Sequence, residues 1–294
     1  MSLCNNKIED KETICEVMKW GEAVLNSYKR PDAAIDAKLL MKNLLGFDEM
    51  RLLLERDQKL AAHLKESYTY VIAKRAQGIP LQYITRNQEF MGLNFYVDDR
   101  VLIPRQDTET LIELLIEKAK VEHFKTGVDI GAGSGCISIS LVTYIEGLNM
   151  TAIDLSEGAL DVTKKNVKEH GLEERIKLLQ SDVLEAYNKE EKVDLVVSNP
   201  PYISVQDCKE LMIEVIGHEP RMALTDEGDG LSFYRRITHD AKEILKPGGI
   251  IAYEIGYNQG KAVKTMLEEA GYIEVEVYQD LAGKDRVVIG RNPV

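Results

Sequence analysis

The stretch that decides the fold is Val128-Asp129-Ile130-Gly131-Ala132-Gly133-Ser134-Gly135-Cys136, where a short apolar run leads through three glycines into a helical pattern. Glycine tolerates positive φ angles and lets a ligand approach the backbone, and the unpaired N–H groups at the start of a helix favour an anionic group. The spacing is Gly-x-Gly-x-Gly, which differs from the Gly-x-Gly-x-x-Gly of dinucleotide-binding folds. The stretch therefore predicts a ligand-binding turn between a buried strand and a helix.

Two further apolar runs end in acidic residues. The run 150–154 ends in Asp154, about twenty residues after the glycines, the position from which a carboxylate accepts both hydroxyls of a ribose. The run 176–180 is followed by Asp182 and Val183, and Asp182 is placed to accept a hydrogen bond from an adenine amino group. One acid at a strand end is usually a turn or a helix cap. Three successive strand ends with suitable groups predict a site for a nucleoside-bearing cofactor.

A fourth apolar run, 193–197, leads into Asn199-Pro200-Pro201-Tyr202. The prolines fix φ and donate no N–H, so the carbonyl groups beside them are held outward without internal partners. The Asn199 side-chain oxygen and the Pro200 carbonyl can then accept both hydrogens of a planar –NH2 group, while the Tyr202 ring offers a face for it. This edge predicts methylation of an amide or amino nitrogen, with Asn199, Pro200 and Tyr202 as catalytic residues.

These motifs resemble those of the class I S-adenosylmethionine-dependent methyltransferases, and among them the PrmC/HemK family, over nearly the whole chain. The other segments that carry the resemblance are 80–84, 101–105, 219–220, 223–224, 229–231, 234–235, 245–249 and 254–256. One departure is Gln106-Asp107-Thr108-Glu109, where the family usually has Pro-Glu-Thr-Glu. The negative charge is kept there but the rigid proline is not.

The resemblance implies S-adenosylmethionine as the cofactor and N5 of the glutamine in the Gly-Gly-Gln loop of peptide-chain release factors as the methyl acceptor. It also implies an α/β fold with a Rossmann-like, mostly parallel sheet and an antiparallel C-terminal hairpin, plus a small N-terminal helical domain. The predicted cofactor contacts are Asp129, Ile130, Gly131, Ala132, Gly133, Asp154, Asp182, Val183 and Asn199. The predicted substrate contacts are Asn199, Pro200, Pro201 and Tyr202.

The hydrophobic pattern predicts three parts. Residues 1–85 have apolar positions at helical spacing without strand alternation, which predicts a helical domain, and we expect this domain to recognise the protein substrate. Residues 86–107 contain bulky residues around a single glycine and are predicted to form a β-hairpin linker. Residues 108–294 alternate helical and strand patterns, which predicts a methyltransferase domain with a parallel sheet covered on both faces.

Composition favours a cytoplasmic enzyme without a metal. The net charge of −12, from 37 basic and 49 acidic residues, argues against a partner bound chiefly through its phosphate backbone. The four cysteines show neither Cys-x-x-Cys pairing nor a nearby histidine cluster, so we predict neither zinc nor disulfides. The sequence has no apolar stretch long enough to span a membrane and no signal-peptide core, so we expect no membrane partner.

Two other functions fit parts of the pattern. A nucleic-acid amino methyltransferase grips adenine N6 or guanine N2 with the same kind of strand end, but it predicts a basic groove or a large target-recognition insertion, which this sequence lacks. A binding module that uses the cofactor only structurally is the other alternative. Two residues keep two interpretations each: Arg105 holds a ligand carbonyl or forms a structural ion pair, and Glu254 supports the site or makes a core hydrogen bond.

Overall fold

The computed structural model describes residues 8–210 and 213–294, which form two compact units. The helical unit contains the described residues up to Arg86 together with Ile213–His218. The sheet unit contains the described residues from Asn87 onward, without Ile213–His218.

The helical unit is built from short helices around its own apolar core. Its helices are α1 (Ile14–Ser27), α2 (Ala33–Leu45), α3 (Glu49–Glu55), α4 (Ala62–Ala76), α5 (Leu81–Thr85) and, later in the chain, α9 (Ile213–His218). A capping box starts α1, because Thr13 and Glu16 each accept a hydrogen bond from the backbone N–H of the other. Val17, Leu40 and Ile72 are buried in the core, and Asp36 pairs with Arg75 at 2.5 Å in a buried position.

The sheet unit alternates strands and helices after a short antiparallel hairpin. Its strands are β1 (Gln88–Phe90), β2 (Leu93–Phe95), β3 (Thr126–Ile130), β4 (Asn149–Asp154), β5 (Ile176–Gln180), β6 (Val193–Ser198), β7 (Leu245–Glu254), β8 (Ile273–Gln279) and β9 (Asp285–Arg291). Its helices are α6 (Glu109–Glu122), α7 (Cys136–Tyr144), α8 (Glu157–Glu169), α10 (Arg221–Leu224), α11 (Ser232–Ala241) and α12 (Gly260–Glu269).

Seven strands form the main sheet in the order β5-β4-β3-β6-β7-β9-β8. The five strands from β5 to β7 are parallel, and β9 and β8 continue the sheet in antiparallel pairing. Alternate residues face opposite sides: Val196 lies in one apolar core and Val197 in the other, because side chains alternate along a strand. The predicted fold class is confirmed.

The strand order places a crevice beside the middle of the sheet. The chain proceeds from β3 outward to β5 and then returns to β6 on the other side of β3, so the order reverses between β3 and β6. Open α/β sheets bind ligands at the carboxyl ends of the strands at such a reversal. The register pairs Ile130 with Ser198, which brings the glycine turn beside the Asn199–Tyr202 edge.

Candidate active site

The glycine turn between β3 and α7 uses its glycines for two different reasons. Gly131, Gly133 and Gly135 all have positive φ angles, of 77°, 56° and 80°. A Cβ on Gly131 or Gly133 would meet nothing within 4 Å, so these two are needed for their backbone conformation. A Cβ on Gly135 would lie 2.7 Å from Cγ2 of Thr163, so this glycine also lets α8 pack closely.

Asp154, at the end of β4, binds the backbone of the glycine turn through its carboxylate. Its Oδ2 accepts the backbone N–H of Gly133 at 2.9 Å, and its Oδ1 accepts that of Ser156 at the same distance. Burial raises the pKa of Asp154, and these backbone hydrogen bonds oppose the rise. A carboxylate has about four acceptor positions, so it can accept ligand hydroxyls in addition to these two bonds.

Asp129 lies fully buried behind the same turn. Its Oδ2 accepts hydrogen bonds from Ser138, from the backbone N–H at 3.2 Å and the hydroxyl at 2.7 Å, which ties the first turn of α7 to β3. Its Oδ1 is buried and has no hydrogen-bonding partner within the described part of the chain. Burial raises the pKa of Asp129 to about 7, and the Ser138 bonds lower it. An unpaired buried oxygen of this kind suits a cationic ligand group or a bridging water.

A cavity of about 420 Å³ lies over these strand ends. This volume is within the range of about 300–1,000 Å³ typical of small-ligand pockets. The predicted site residues that line it are Ile130, Gly131, Gly133, Asp154, Asp182, Val183, Asn199, Pro200 and Pro201. Asp129, Ala132 and Tyr202 are not part of its lining. An apolar wall beside two acids and a glycine turn fits the adenosine and amino-acid ends of S-adenosylmethionine.

The third strand end carries an ion pair and a backbone conformation that the sequence did not predict. Oδ1 of Asp182 forms an ion pair with Nη2 of Arg236 at 2.9 Å, so one of its oxygens is already engaged. Val183 is buried and has a φ of 52°, an unusual conformation for a β-branched residue. Strained backbone of this kind is characteristic of ligand sites.

At the end of β6, Asn199 is oriented by a hydrogen bond. Its Nδ2 donates to Oγ1 of Thr108 at 3.3 Å. Because the amide nitrogen is used in this way, the Oδ1 atom is the end of the amide that remains for a ligand. The Tyr202 hydroxyl donates to Oε1 of Glu254 at 3.3 Å, which favours the interpretation of Glu254 as support for the site.

The backbone of this edge is held from beneath by Gln259. Its Nε2 donates to the carbonyl oxygens of Tyr202 at 2.9 Å and Gly230 at 3.2 Å. Gly230 has a φ of 78°, and a Cβ there would lie 2.3 Å from the Tyr202 carbonyl oxygen. Asp226 orders the loop 226–232, because its carboxylate accepts hydrogen bonds from the backbone N–H groups of Gly228, Gly230 and Ser232 at 2.8–3.0 Å.

Several residues around the cavity were not predicted. Phe233 and Ile237 of α11 line it, although their spacing of four in the sequence indicates only an amphipathic helix. Thr108 and Gln259 give no local signal at all. Arg105 pairs with the buried Glu219 at 2.5 Å, which favours its interpretation as a structural ion pair.

Two further findings concern the described residues alone. Within 8–210 and 213–294, no group of three or more His, Cys, Asp or Glu side chains is arranged to hold a metal ion. No helix in this part of the chain is both long and apolar enough to cross a membrane.

Comparison with known proteins identifies relatives over both units. The family model "Methyltransferase small domain" matches residues 105–233, and the model "PrmC N-terminal domain" matches residues 16–85. The chain is 40% identical to a release factor glutamine methyltransferase of Clostridium acetobutylicum, covering 86% of this chain and 90% of the relative. It is 39% identical to the protein of the same name from Clostridium botulinum, covering 92% and 96%.

Among solved structures, the catalytic domain of hMettl16 in complex with the MAT2A 3′UTR hairpin 6 is similar to this chain. The TM-score is 0.56 at 21% identity, with 75% of this chain and 81% of that chain covered. At this identity the likeness supports the fold alone.

Proposed function

The chain belongs to the release factor glutamine methyltransferases, and on that basis we propose that it transfers a methyl group from S-adenosylmethionine to N5 of a release factor glutamine, the one in the Gly-Gly-Gln loop. It is an enzyme of translation termination. The observation that carries the proposal is the orientation of Asn199, whose Nδ2 is held by Thr108 at the edge of the cavity. An outward Oδ1 beside the Pro200 carbonyl offers two acceptors to one –NH2 group.

The chemistry requires positioning, because an amide nitrogen shares its lone pair with the carbonyl group and attacks poorly. S-adenosylmethionine, when bound, supplies an electrophilic methyl group on a sulfonium. Asn199 and the Pro200 carbonyl hold the two amide hydrogens and aim the nitrogen, and such positioning lowers barriers by up to about 7–11 kcal/mol in favourable cases. Their partial negative charges also stabilise the positive charge that develops on nitrogen. The surplus proton leaves to water after transfer.

The roles of the cofactor residues follow from their positions. The glycine turn receives the amino-acid end of S-adenosylmethionine, Asp154 accepts the ribose hydroxyls, and Asp182 with Val183 borders the adenine. Asp129 acts from behind the turn, and Ala132 is a buried residue within it. Tyr202 presents its ring to the substrate amide while its hydroxyl is fixed by Glu254.

The helical domain has a separate task in this proposal, which is recognition of the body of the release factor. Its helix α3 exposes Met50, Leu53 and Leu54 by 65%, 60% and 75%, while Leu52 between them is buried. Adjacent exposed apolar side chains are typical of a surface that contacts a protein. We place the domain boundaries at 1–85 for this recognition domain, 86–107 for the hairpin linker and 108–294 for the methyltransferase domain.

We place the reaction in the cytoplasm, with a protein substrate and without direct binding to nucleic acid or membrane. The net charge of −12 supports this, because a protein that grips a phosphate backbone needs a basic surface. A nucleic-acid amino methyltransferase is the alternative.

The experiment is mass spectrometry of a release factor after incubation with the enzyme and S-adenosylmethionine. We expect one added methyl group on the peptide that contains the Gly-Gly-Gln loop, and none when alanine replaces the loop glutamine. DNA and RNA tested in parallel should remain unmodified. Methylation of a nucleic acid with no change in the release factor would contradict the proposal.

A further inference from the structure

Two buried side chains of α8 hold the carbonyl groups of the glycine turn. The Thr163 hydroxyl donates to the carbonyl oxygen of Gly133 at 2.8 Å, and Nδ2 of Asn166 donates to that of Ser134 at 2.8 Å. A longer contact of the Thr163 hydroxyl, at 3.1 Å, is to the Ala159 carbonyl within its own helix. Thr163 and Asn166 are fully buried and are not part of the cavity lining. They can therefore affect a ligand in the cavity only through the turn that they hold.

One backbone N–H group of the turn is left for a ligand between its paired neighbours. The paired groups are those of Gly131, Ala132, Gly133 and Gly135, with donor–acceptor distances of 2.8–2.9 Å. Within the described residues, the N–H of Ser134 has no hydrogen-bond partner. It shares a trans peptide unit with the Gly133 carbonyl, and the N–H and C=O of such a unit point in opposite directions. By holding that carbonyl, Thr163 therefore also fixes the direction of the Ser134 N–H.

Gly133 leaves this peptide unit free to rotate unless another group holds it. Its φ is 56°, and without a Cβ its ψ is little restricted. A rotation would turn the Ser134 N–H away from its present direction and move the Gly133 carbonyl oxygen toward that direction. Anionic groups bind to N–H groups and are repelled by carbonyl oxygens. The orientation that Thr163 maintains is therefore the one that suits the carboxylate of S-adenosylmethionine.

Asn166 also connects the turn to the segment that follows the β1–β2 hairpin. Its Oδ1 accepts the backbone N–H of Tyr96 at 2.7 Å, and its Nδ2 donates to the Tyr96 carbonyl at 3.0 Å. Because Oδ1 is engaged by this N–H, the other end of the amide must face the Ser134 carbonyl, and both of its hydrogens are used. The bonds to Tyr96 thus fix the orientation of Asn166.

We propose that Thr163 and Asn166 are positioning residues for S-adenosylmethionine binding, which hold two carbonyl groups of the turn toward α8 so that the Ser134 N–H stays available to the cofactor. The proposal goes beyond the proposed function, since it does not depend on the methyl acceptor. Without these bonds, only a fraction of the molecules has the binding orientation. The apparent dissociation constant then rises by the inverse of that fraction.

The first test compares Thr163→Val with Thr163→Ser by titration calorimetry with S-adenosylmethionine alone. Valine keeps the methyl group that packs against Gly135 and removes the hydroxyl, whereas serine does the reverse. We expect the dissociation constant to rise about three- to tenfold with valine, as for one lost hydrogen bond, and to change less than about twofold with serine. A role in packing alone predicts the larger loss with serine. Unchanged affinity with valine, or equal losses in both variants, would overturn the proposal.

The matched control is Thr238→Val, at a buried threonine of α11 whose hydroxyl contacts the Tyr253 hydroxyl at 3.0 Å. This substitution also removes a buried hydroxyl group, but one that does not bond to the glycine turn. It should lower the melting temperature of the ligand-free protein and leave the S-adenosylmethionine dissociation constant unchanged. A loss of affinity equal to that of Thr163→Val would indicate a general effect of destabilisation and would contradict the proposal.

The second test separates KM from kcat in methyl transfer. Asn166→Asp keeps an acceptor for the Tyr96 N–H and removes the donor to Ser134. We expect this variant and Thr163→Val to raise the KM for S-adenosylmethionine and to keep kcat near that of wild type, because a saturating cofactor restores the orientation of the turn. A lowered kcat with an unchanged cofactor KM in Thr163→Val would refute the positioning role. If wild type binds the cofactor but methylates no release factor, the proposed function fails, and the calorimetric comparison still decides this proposal.

Discussion

Oδ2 of Asp154 accepts the backbone N–H of Gly133 at 2.9 Å, so the acid that ends β4 is fastened to the middle of the glycine turn after β3. The second oxygen is fixed by Ser156. The carboxylate is therefore oriented before any ligand arrives, and the turn and the acid form one preorganised element. Preorganisation reduces the ordering cost of binding.

The first prediction follows from this bond. Asp154→Ala should weaken S-adenosylmethionine binding, because it removes charge-assisted hydrogen bonds worth about 1.5–3 kcal/mol each and also frees the glycine turn. Asp154→Asn keeps an acceptor without the charge and should show an intermediate loss. Titration calorimetry measures both. Wild-type affinity in Asp154→Ala would show that the acid does not hold the cofactor.

A second prediction concerns Asn199. Asn199→Ala should leave S-adenosylmethionine binding largely intact, while methyl transfer falls by about two orders of magnitude or more, since the acceptor acts mainly in the transition state. The exposed Asn188 provides a matched control, and Asn188→Ala should leave both quantities unchanged. Near-normal turnover of Asn199→Ala would rule out the amide-holding role.

Gly230 and Gly248 provide a third prediction, because both have a φ of 78° but only Gly230 is crowded. Alanine at either position costs about 1–2 kcal/mol for the left-handed backbone. At Gly230 the added Cβ would also lie 2.3 Å from the Tyr202 carbonyl oxygen, while at Gly248 it would meet nothing within 4 Å. Gly230→Ala should therefore lower both the melting temperature and the methyl-transfer rate more than Gly248→Ala, measured by calorimetry and single turnover.

The sequence predicts the sheet and the strand ends because these depend on local patterns. The apolar runs that form these strands are continuous in the chain. β4 ends at Asp154 and β6 ends one residue before Asn199, whereas Asp129 lies within β3, one residue before its end. The supports of the site are different, because they depend on contacts between distant segments. Thr108 and Asn199 are 91 residues apart, and Gln259 and Tyr202 are 57 apart. No periodicity links such pairs.

The segment 106–109, which departs from the family pattern, also depends on a contact that the sequence does not predict. Gln106–Thr108 forms a 3₁₀ helix without the usual proline, and Asp107 pairs with Arg286 of β9 at 3.0 Å. Both residues are visible in the sequence, but their pairing depends on where β9 lies in the sheet. The ion pair provides an anchor for the segment that places Thr108 under Asn199.

A fourth prediction concerns stability and pH. Burial raises the pKa of Asp129 from its ordinary value of 3.8 to about 7, so the folded protein prefers the protonated form. Its contribution to stability is fully present below about pH 4 and is lost as the pH rises through about 7, by up to about 4 kcal/mol. Asp129→Asn stays neutral and should lose less stability between pH 5 and pH 8 in ligand-free melting experiments. Parallel pH dependences in the two proteins would contradict this.

The last prediction tests the proposed recognition role of the helical domain in the full-length chain. Leu53 and Leu54 are exposed on α3, so replacing both with serine should change stability little, by about 0.5 kcal/mol or less for each. The Gly-Gly-Gln loop is short, and ordering its backbone costs about 1–2 kcal/mol per residue. Contacts to the body of the release factor would offset that cost. The double variant should therefore have a raised KM for an intact release factor and an unchanged KM for a loop peptide.

The control for this experiment is Val121→Ser, which removes an apolar side chain that is 78% exposed on α6 of the sheet unit. It should leave the KM for the intact release factor and the KM for the loop peptide unchanged, because Val121 lies outside the α3 surface that is proposed to contact the release factor. An equal rise of KM for the intact release factor and the loop peptide in the α3 double variant would indicate an indirect effect on the site. No rise for either substrate would mean that α3 does not contact the release factor. Only a rise confined to the intact protein supports the recognition role, since the peptide contains the reactive glutamine but lacks the body that α3 is proposed to bind.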